Sequence, residues 1–518
     1  MPDLAALARA VEEALAAASR EPGLREVEVF AAANRALHAR VNYTSHIPSN
    51  GLEEPKSTES WGLGVQAVWA DGDALAVGFG CEPSDLSPAG AARALGKARR
   101  AAVHDPEFRS LPRPGPDGPA RPPQHDPGIA ELDDAGLVGV GWKLVRGGLR
   151  AFLGSARLLE VAGSEEGLAT LGLILGGDVT ILHERVAIAS TAMPRARVDE
   201  SALMASTVTA MVERAAAKGT GWSITTRLDQ FTDEAAVDAA HAAVHALDGV
   251  RVPTGDYTVI FGKQPVADLL NNLVLPSCHA GAFYSSNTPF LGKLGGPVAA
   301  AGLSIYDHGA LPGFAGTKAI TCEGLSTGRT DLVKDGVLVG LLTHWYDAQR
   351  LLHDPALAAK LGVDRARAEP ALVPRNGFRF DGLGRSFEMP PATSASNVIV
   401  EGANPVTLEE LLRTVRDGLY IGRIWYTYPI NGLRAGDFTG TVVGDSFTIK
   451  DGRLAAPIKA NSLRVNDNIV RVLHRILALT KEAKATSVWA ADEVVHAPEI
   501  AVDGVHVDAI AGATDPAG

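Results

Sequence analysis

The stretch Val252-Pro253-Thr254-Gly255-Asp256-Tyr257-Thr258-Val259-Ile260-Phe261 divides the chain in two. Pro253 and Gly255 bar a helix across its first half, and the β-branched and aromatic run from Tyr257 predicts a strand. Downstream, strands dominate: Tyr257–Phe261, Leu332–Leu342, Ser396–Val400, Tyr420–Thr427 and Asp445–Pro457. Asp335-Gly336 and Asp451-Gly452 sit between apolar runs, the signature of tight hairpin turns. Thr407 and Glu410 form a capping box at the head of a helix. A second apolar helix is expected over Asn468–Leu479.

Upstream, helices and strands mix. Leu4–Ala18 carries one apolar stripe at helical spacing. Val27–Phe30, Ala36–Val41, Trp61–Trp69 and Ala74–Phe79 predict strands, with Asp71-Gly72 as a hairpin turn. Ser87-Pro88 starts a helix that reaches Val103, with Ser87 as N-cap and proline in the first turn. Asp134–Leu153 predicts a helix. Leu158–Ala162, Leu168–Leu175 and Val186–Thr191 predict strands, and Ser201–Ala216 and Ala235–Ala246 predict helices packed on them. Asp105–Gly128 holds eight prolines and is either a linker or an arm lying across the surface. The expected fold class is α+β. Residues 1–250 form an N-terminal domain of β-sheet flanked by helices. Residues 251–518 form a β-rich C-terminal domain, curved or barrel-like.

The 518 residues carry 48 Lys and Arg against 60 Asp and Glu, a formal charge of −12. A partner built on a phosphate backbone needs clustered basic residues. The densest basic group, Lys97, Arg99 and Arg100, suits a helix C-terminus instead. No nucleic-acid partner is expected. Cys81, Cys278 and Cys322 are too few and too scattered for a disulfide framework or a zinc ribbon, and they suit a reducing compartment. Met1–Arg20 lacks the basic start and unbroken apolar stretch of a signal peptide. No run of eighteen apolar residues occurs. A cytoplasmic location without a membrane partner is expected.

Several fragments imitate functional motifs. Gly62-Leu63-Gly64, Gly78-Phe79-Gly80 and Gly139-Val140-Gly141 lack the third glycine of a dinucleotide loop. His183-Glu184 begins like a zincin motif, but Ala187 stands where the second histidine belongs. His241 and His245, with Asp238 one turn back, lie on one helix face and could meet one metal. No glutamate follows His241, and the Ala-rich helix suits a solvated face. Cys278-His279 are adjacent, so their side chains point apart, and Cys278 reads as a small buried hydrophobe rather than a nucleophile.

A set of ordered motifs carries a resemblance. Pro253–Tyr257 leads into a strand and helix. Asp307 with Leu311-Pro312-Gly313 follows, then Glu323-Gly324, Arg329-Thr330 and Leu332–Leu338. Gly436-Asp437-Phe438, the hairpin Ile449–Pro457 and Ala460-Asn461 complete the series. In this order they resemble the TldD/PmbA family, once called modulators of DNA gyrase and regarded as metalloproteases. The resemblance covers most of the chain and is best over residues 250–510. It implies two kinds of subunit. The TldD type carries His-Glu, three residues and then His on a helix, with a late cysteine as third zinc ligand. The TldE (PmbA) type lacks them and pairs with TldD.

On the corresponding helix, Ala267–Pro276, Asn271 and Asn272 stand at the His-Glu positions and Pro276 at the second His. No cysteine follows Cys322. Zinc hydrolysis needs three protein ligands, an open position and a base. The resemblance therefore implies a non-catalytic TldE-like subunit with no cofactor of its own. Zinc is expected in a TldD-type partner, and the complex would act on peptides or small amides. Two alternatives stay open: a peptidase or amidase with an unrecognised site, and a homodimeric peptide-binding protein. The segment Asn271–Ser286 places polar groups where a core helix would continue with leucine and valine. It is expected to line a substrate cleft, with His279, Tyr284 and Ser285 as candidates.

Overall fold

The computed structural model describes residues 1–41, 51–72, 74–115, 126–382, 384–488 and 491–511. Strand β1, Leu24–Val41, organises the N-terminal half. Its odd positions face helices. Val27, Val29, Ala31 and Ala33 pack against Leu4–Ala18 and Pro88–Ala101. Leu37, Ala39 and Val41 pack against Asp134–Leu153 and Glu234–His245. Its even positions, Phe30 and Ala32, meet Ile320, Cys322, Phe378 and Phe387 of the C-terminal half. The sequence separates this element into two strands because Ala32, Ala33 and Asn34 have little β-propensity; burial on both faces keeps it continuous.

The strand belongs to a seven-stranded antiparallel sheet. β2 is Leu52–Asp71, β3 Ala74–Pro83 and β4 Val103–His104. β5 is Leu173–Ser190, β6 Met193–Val212 and β7 Ala217–Thr225. The spatial order is β4-β3-β2-β1-β5-β6-β7. Glycine lets the Ala-rich helices come very close. A Cβ at Gly221 would lie 2.1 Å from the Ala235 carbonyl oxygen.

Several expected elements are corrected. Ser201–Ala216 is not one helix: Ser201–Val212 lies in β6, and Glu213–Ala215 forms a single 3-10 turn. Along β6, burial alternates from Ala202 to Val212, because pairing with β5 and β7 overrides the helix propensity of its Ala and Met residues. Leu158–Ala162 is not a strand. It lies in the helix Ala156–Ala162, capped by the Ser155 hydroxyl and ended by Gly163 at φ 76°. Leu168–Leu175 divides between the short helix Glu165–Leu168 and the start of β5. The helix expected over Asn468–Leu479 stops at His474, and Ile476–Leu479 pairs with Ile500–Ala509 as a strand.

The C-terminal half is β-rich and contains a curled sheet. In that sheet Gly255–Phe261 pairs in parallel with Gly418–Ile421 and antiparallel with Ile500–Ala509. A second sheet is centred on Leu303–His308 and Asn397–Gly402. Both share one apolar core with the helical run that starts at Lys263. The Asp335-Gly336 and Asp451-Gly452 turns form as expected, each with positive φ at both residues. Part of the proline-rich segment, residues 116–125, lies outside the described residues. Before it, Phe108 and Leu111 are buried, and Tyr346 and Trp345 donate hydrogen bonds to Asp105 and to the Ser110 carbonyl. This stretch therefore lies as an arm between Val68, Leu75 and Val77 of the N-terminal sheet and Tyr346 of the C-terminal half.

Charges bind the halves together. Arg385, fully buried, pairs with Asp199 at 2.7 Å and Glu184 at 3.1 Å. Lys318 pairs with Glu184 and donates to the Ser201 hydroxyl at 2.8 Å. Burial alone would raise the pKa of Glu184, but Arg385 and Lys318 outweigh it and hold the group ionised. A second pair joins Arg379 and Glu28 at 2.6 Å. Here burial prevails over the guanidinium and pushes the Glu28 carboxyl up to about 7.

Removing one partner of a buried pair leaves the other charge stranded. Arg379→Met is expected to cost about 3–5 kcal/mol at pH 8. The loss should shrink at pH 5, where Glu28 takes up a proton in both proteins. Denaturant unfolding of wild type and variant at the two pH values checks this.

Candidate functional site

The helix that begins at Lys263 changes pitch at Leu270. Over Leu270–Val274 it is a π-helix, and the Leu275 amide donates to the Leu270 carbonyl five residues back. Pro276 explains the change. A proline in a helix interior lacks its N–H and strikes the carbonyl four residues earlier, here that of Asn272. One wide turn avoids that clash. The turn also has a geometric effect. At 3.6 residues per turn, positions 271 and 276 stand about 140° apart on an α-helix. A turn closed by an i→i+5 bond draws them toward one face.

Asn272 is exposed and donates to the Asp268 carbonyl at 2.9 Å. Both side-chain amide atoms of Asn271 are buried without a hydrogen-bond partner. The same holds for Asp268 Oδ2 and for the hydroxyls of Thr427 and Thr439. These threonines come from Arg423–Pro429, which packs on the helix, and from its neighbour Asp437–Gly444. Burial pushes the Asp268 carboxyl up to about 6, and the nearby Arg423 charge opposes it. The helix face therefore presents an asparagine amide, two hydroxyls and a carboxyl that ionises only above about pH 6.

The other candidates lie apart from this face. Cys278 is fully buried, and burial pushes its thiol up to about 12, so it is no nucleophile. His279 is part-buried. Burial lowers its pKa to about 4, with His344 adding to that effect and Asp347 opposing it. Tyr284 donates to Glu107 of the arm, and Arg350 sits 4.1 Å over its ring. Ser285 is exposed and donates to the Gly281 carbonyl at 2.9 Å. Tyr284 thus anchors the arm, and none of the three lines the cleft between the N-terminal sheet and the C-terminal half. His241 and His245 are exposed, and Asp238 meets Lys484 at 3.3 Å.

That cleft, of about 300 Å³, opens between the halves. β5, β6 and β7 supply Leu182, Leu203 and Ile224. Lys318, Phe380 and Asp492 come from C-terminal loops. Sequence reasoning missed these residues. Its one hint was His183-Glu184, set aside as a failed zincin fragment, whose glutamate lines the cleft.

The PmbA/TldA metallopeptidase C-terminal domain family matches residues 254–509. The chain belongs to the TldD/PmbA family. It is 25% identical over 240 residues to a metalloprotease of Methanothermobacter thermautotrophicus, covering 45% of each chain. It is 26% identical over 256 residues to metalloprotease slr0863 of Synechocystis sp., covering 48% of each. The match thus spans about half the length of these curated relatives. TldE from Thermococcus kodakarensis shares the fold, with TM-score 0.75 at 17% identity over 96% of this chain and 100% of that one.

The zinc that this TldD/PmbA membership implies does not fit the residues present. An asparagine amide is a poor zinc ligand, and Pro276 offers no side-chain donor. Among the described residues, no three His, Cys, Asp or Glu side chains gather as a metal site. Also among the described residues, no helix is long and apolar enough to cross a membrane.

Asp268 generates a testable pH effect. Its folded carboxyl holds a proton more tightly than the unfolded one, so stability falls as pH rises from about 4 and the loss is complete above about 6. Asp268→Asn removes that loss. The variant should gain on the order of 2–3 kcal/mol relative to wild type between pH 4 and pH 8. Urea unfolding across that range checks it.

Proposed function

We propose that this chain is the non-catalytic, TldE-like subunit of a TldD/TldE-type zinc metalloprotease or amidase. The catalytic zinc belongs to a TldD-type partner. The observation that carries this reading is the π-helical turn with Asn271 and Asn272 in it and Pro276 just beyond. Peptide hydrolysis at a zinc site requires a metal-activated water and a group that takes its proton. Asn271 and Asn272 supply neither. Cys322 is fully buried, and burial pushes its thiol up to about 12, which leaves it unfit as a substitute nucleophile. The role left to the chain is to complete the substrate cavity of the complex and to hold an extended peptide or small amide.

Two measurements test this. The purified chain should contain substoichiometric zinc by metal analysis. It should not cleave peptides alone, whereas its mixture with a TldD-type subunit should do so and lose the activity to chelator. Chelator-sensitive cleavage by this chain alone, or one tightly held zinc per chain, would overturn the reading.

A further inference from the structure

The cleft between the halves combines apolar walls with an acid, Asp492, at its rim. Leu182, Leu203, Ile224 and Val488 provide apolar walls. The two deeply buried charges, Glu184 and Lys318, are paired with each other and contribute no net charge to a ligand. His38, which also lines the cleft, bonds to the Thr180 hydroxyl at 3.1 Å, and burial lowers its pKa toward the neutral form. Asp492 stands at the rim, exposed as a residue but with its carboxyl partly withdrawn from water. Withdrawal from water first, then Asp381 and Glu184, push its carboxyl up to about 6, while the Gly382 amide and Lys318 oppose them. A cation at this rim would relieve that repulsion. The volume, about 300 Å³, falls at the low end of small-ligand sites, roughly 300–1,000 Å³, and suits the end of a chain rather than a folded partner.

We propose that this cleft binds peptides by their free amino terminus, with the ammonium at Asp492 and aliphatic first side chains among Leu182, Leu203, Ile224 and Val488. The chemistry recognised is a primary ammonium on an aliphatic body. An α-amino terminus supplies both at the spacing of one residue, whereas a lysyl side chain holds its ammonium at the end of a flexible stem. The site deepens the substrate-holding role proposed above. It is tested on this chain alone, so its failure leaves the zinc and peptidase tests of the partner-subunit reading unaffected.

The experiment is calorimetric titration of the full chain with three probes. These are L-leucyl-L-leucinamide, its N-acetyl derivative, and N-acetyl-L-lysyl-L-leucinamide. The first should bind, and each of the others should bind at least about tenfold more weakly, the scale of one charge-assisted hydrogen bond. Asp492→Asn should weaken the first probe by about tenfold. Leu203→Trp, which fills the channel, should abolish its binding. Thermal unfolding of both variants confirms that they are folded. Equal binding of the acetylated leucyl probe would overturn the ammonium site. Equal binding of the lysyl probe would overturn the amino-terminal assignment. Unchanged affinity in a folded Asp492→Asn protein, or no binding of any probe, would overturn the proposal altogether.

Discussion

The carboxylate of Glu184 is the point on which the two halves depend. It receives Lys318, the Arg385 side chain and backbone, and the Ser201 hydroxyl. A sheet buried on both faces would ordinarily be covered by apolar side chains, as β1 is on its helix side. On the opposite face, the C-terminal loops bring charges into a dry interior, where each is tolerable only while its partners are in place. The pairing fixes how the loops at 318 and 385 sit on the sheet. It thereby also fixes the end of the cleft, since Glu184 and Lys318 line it.

The buried acids of the C-terminal half act in a related way. Asp307 accepts hydrogen bonds from the Ser396 amide and hydroxyl and from Asn376, at 2.7, 2.9 and 2.7 Å. Glu323 accepts from the Trp345 amide. Both belong to the ordered motifs that mark the family. Their work in this chain is to hold loops, so the motif is a signature of fold more than of chemistry.

That distinction explains what was legible in the sequence. Helices with a sharp apolar stripe and a polar cap, such as Leu4–Ala18 after Asp3 and Asp134–Leu153 after Asp133, are visible because their determinants are local. So are the Asp-Gly hairpins and the Thr407 cap. Strand β6 is not, because what makes Ser201–Val212 a strand is the pair of strands beside it. The cleft is less legible still. Its walls come from β-strands before residue 225 and loops after residue 314, and no spacing along the chain joins Glu184 to Lys318. The altered helix at Asn271 was readable as a loss of donors. Its changed pitch was not, although Pro276 was the local cause.

Pro276 also alters what the turn responds to. In a helix that binds a metal through side chains at its wide turn, the coordination bonds help to hold the backbone open, and the shape varies with whatever competes for the metal. Here the wide turn is imposed by a covalent ring. Its geometry does not depend on metal supply, on chelators, or on the protonation of imidazoles near neutral pH. The surface this helix presents is therefore set by its own covalent structure.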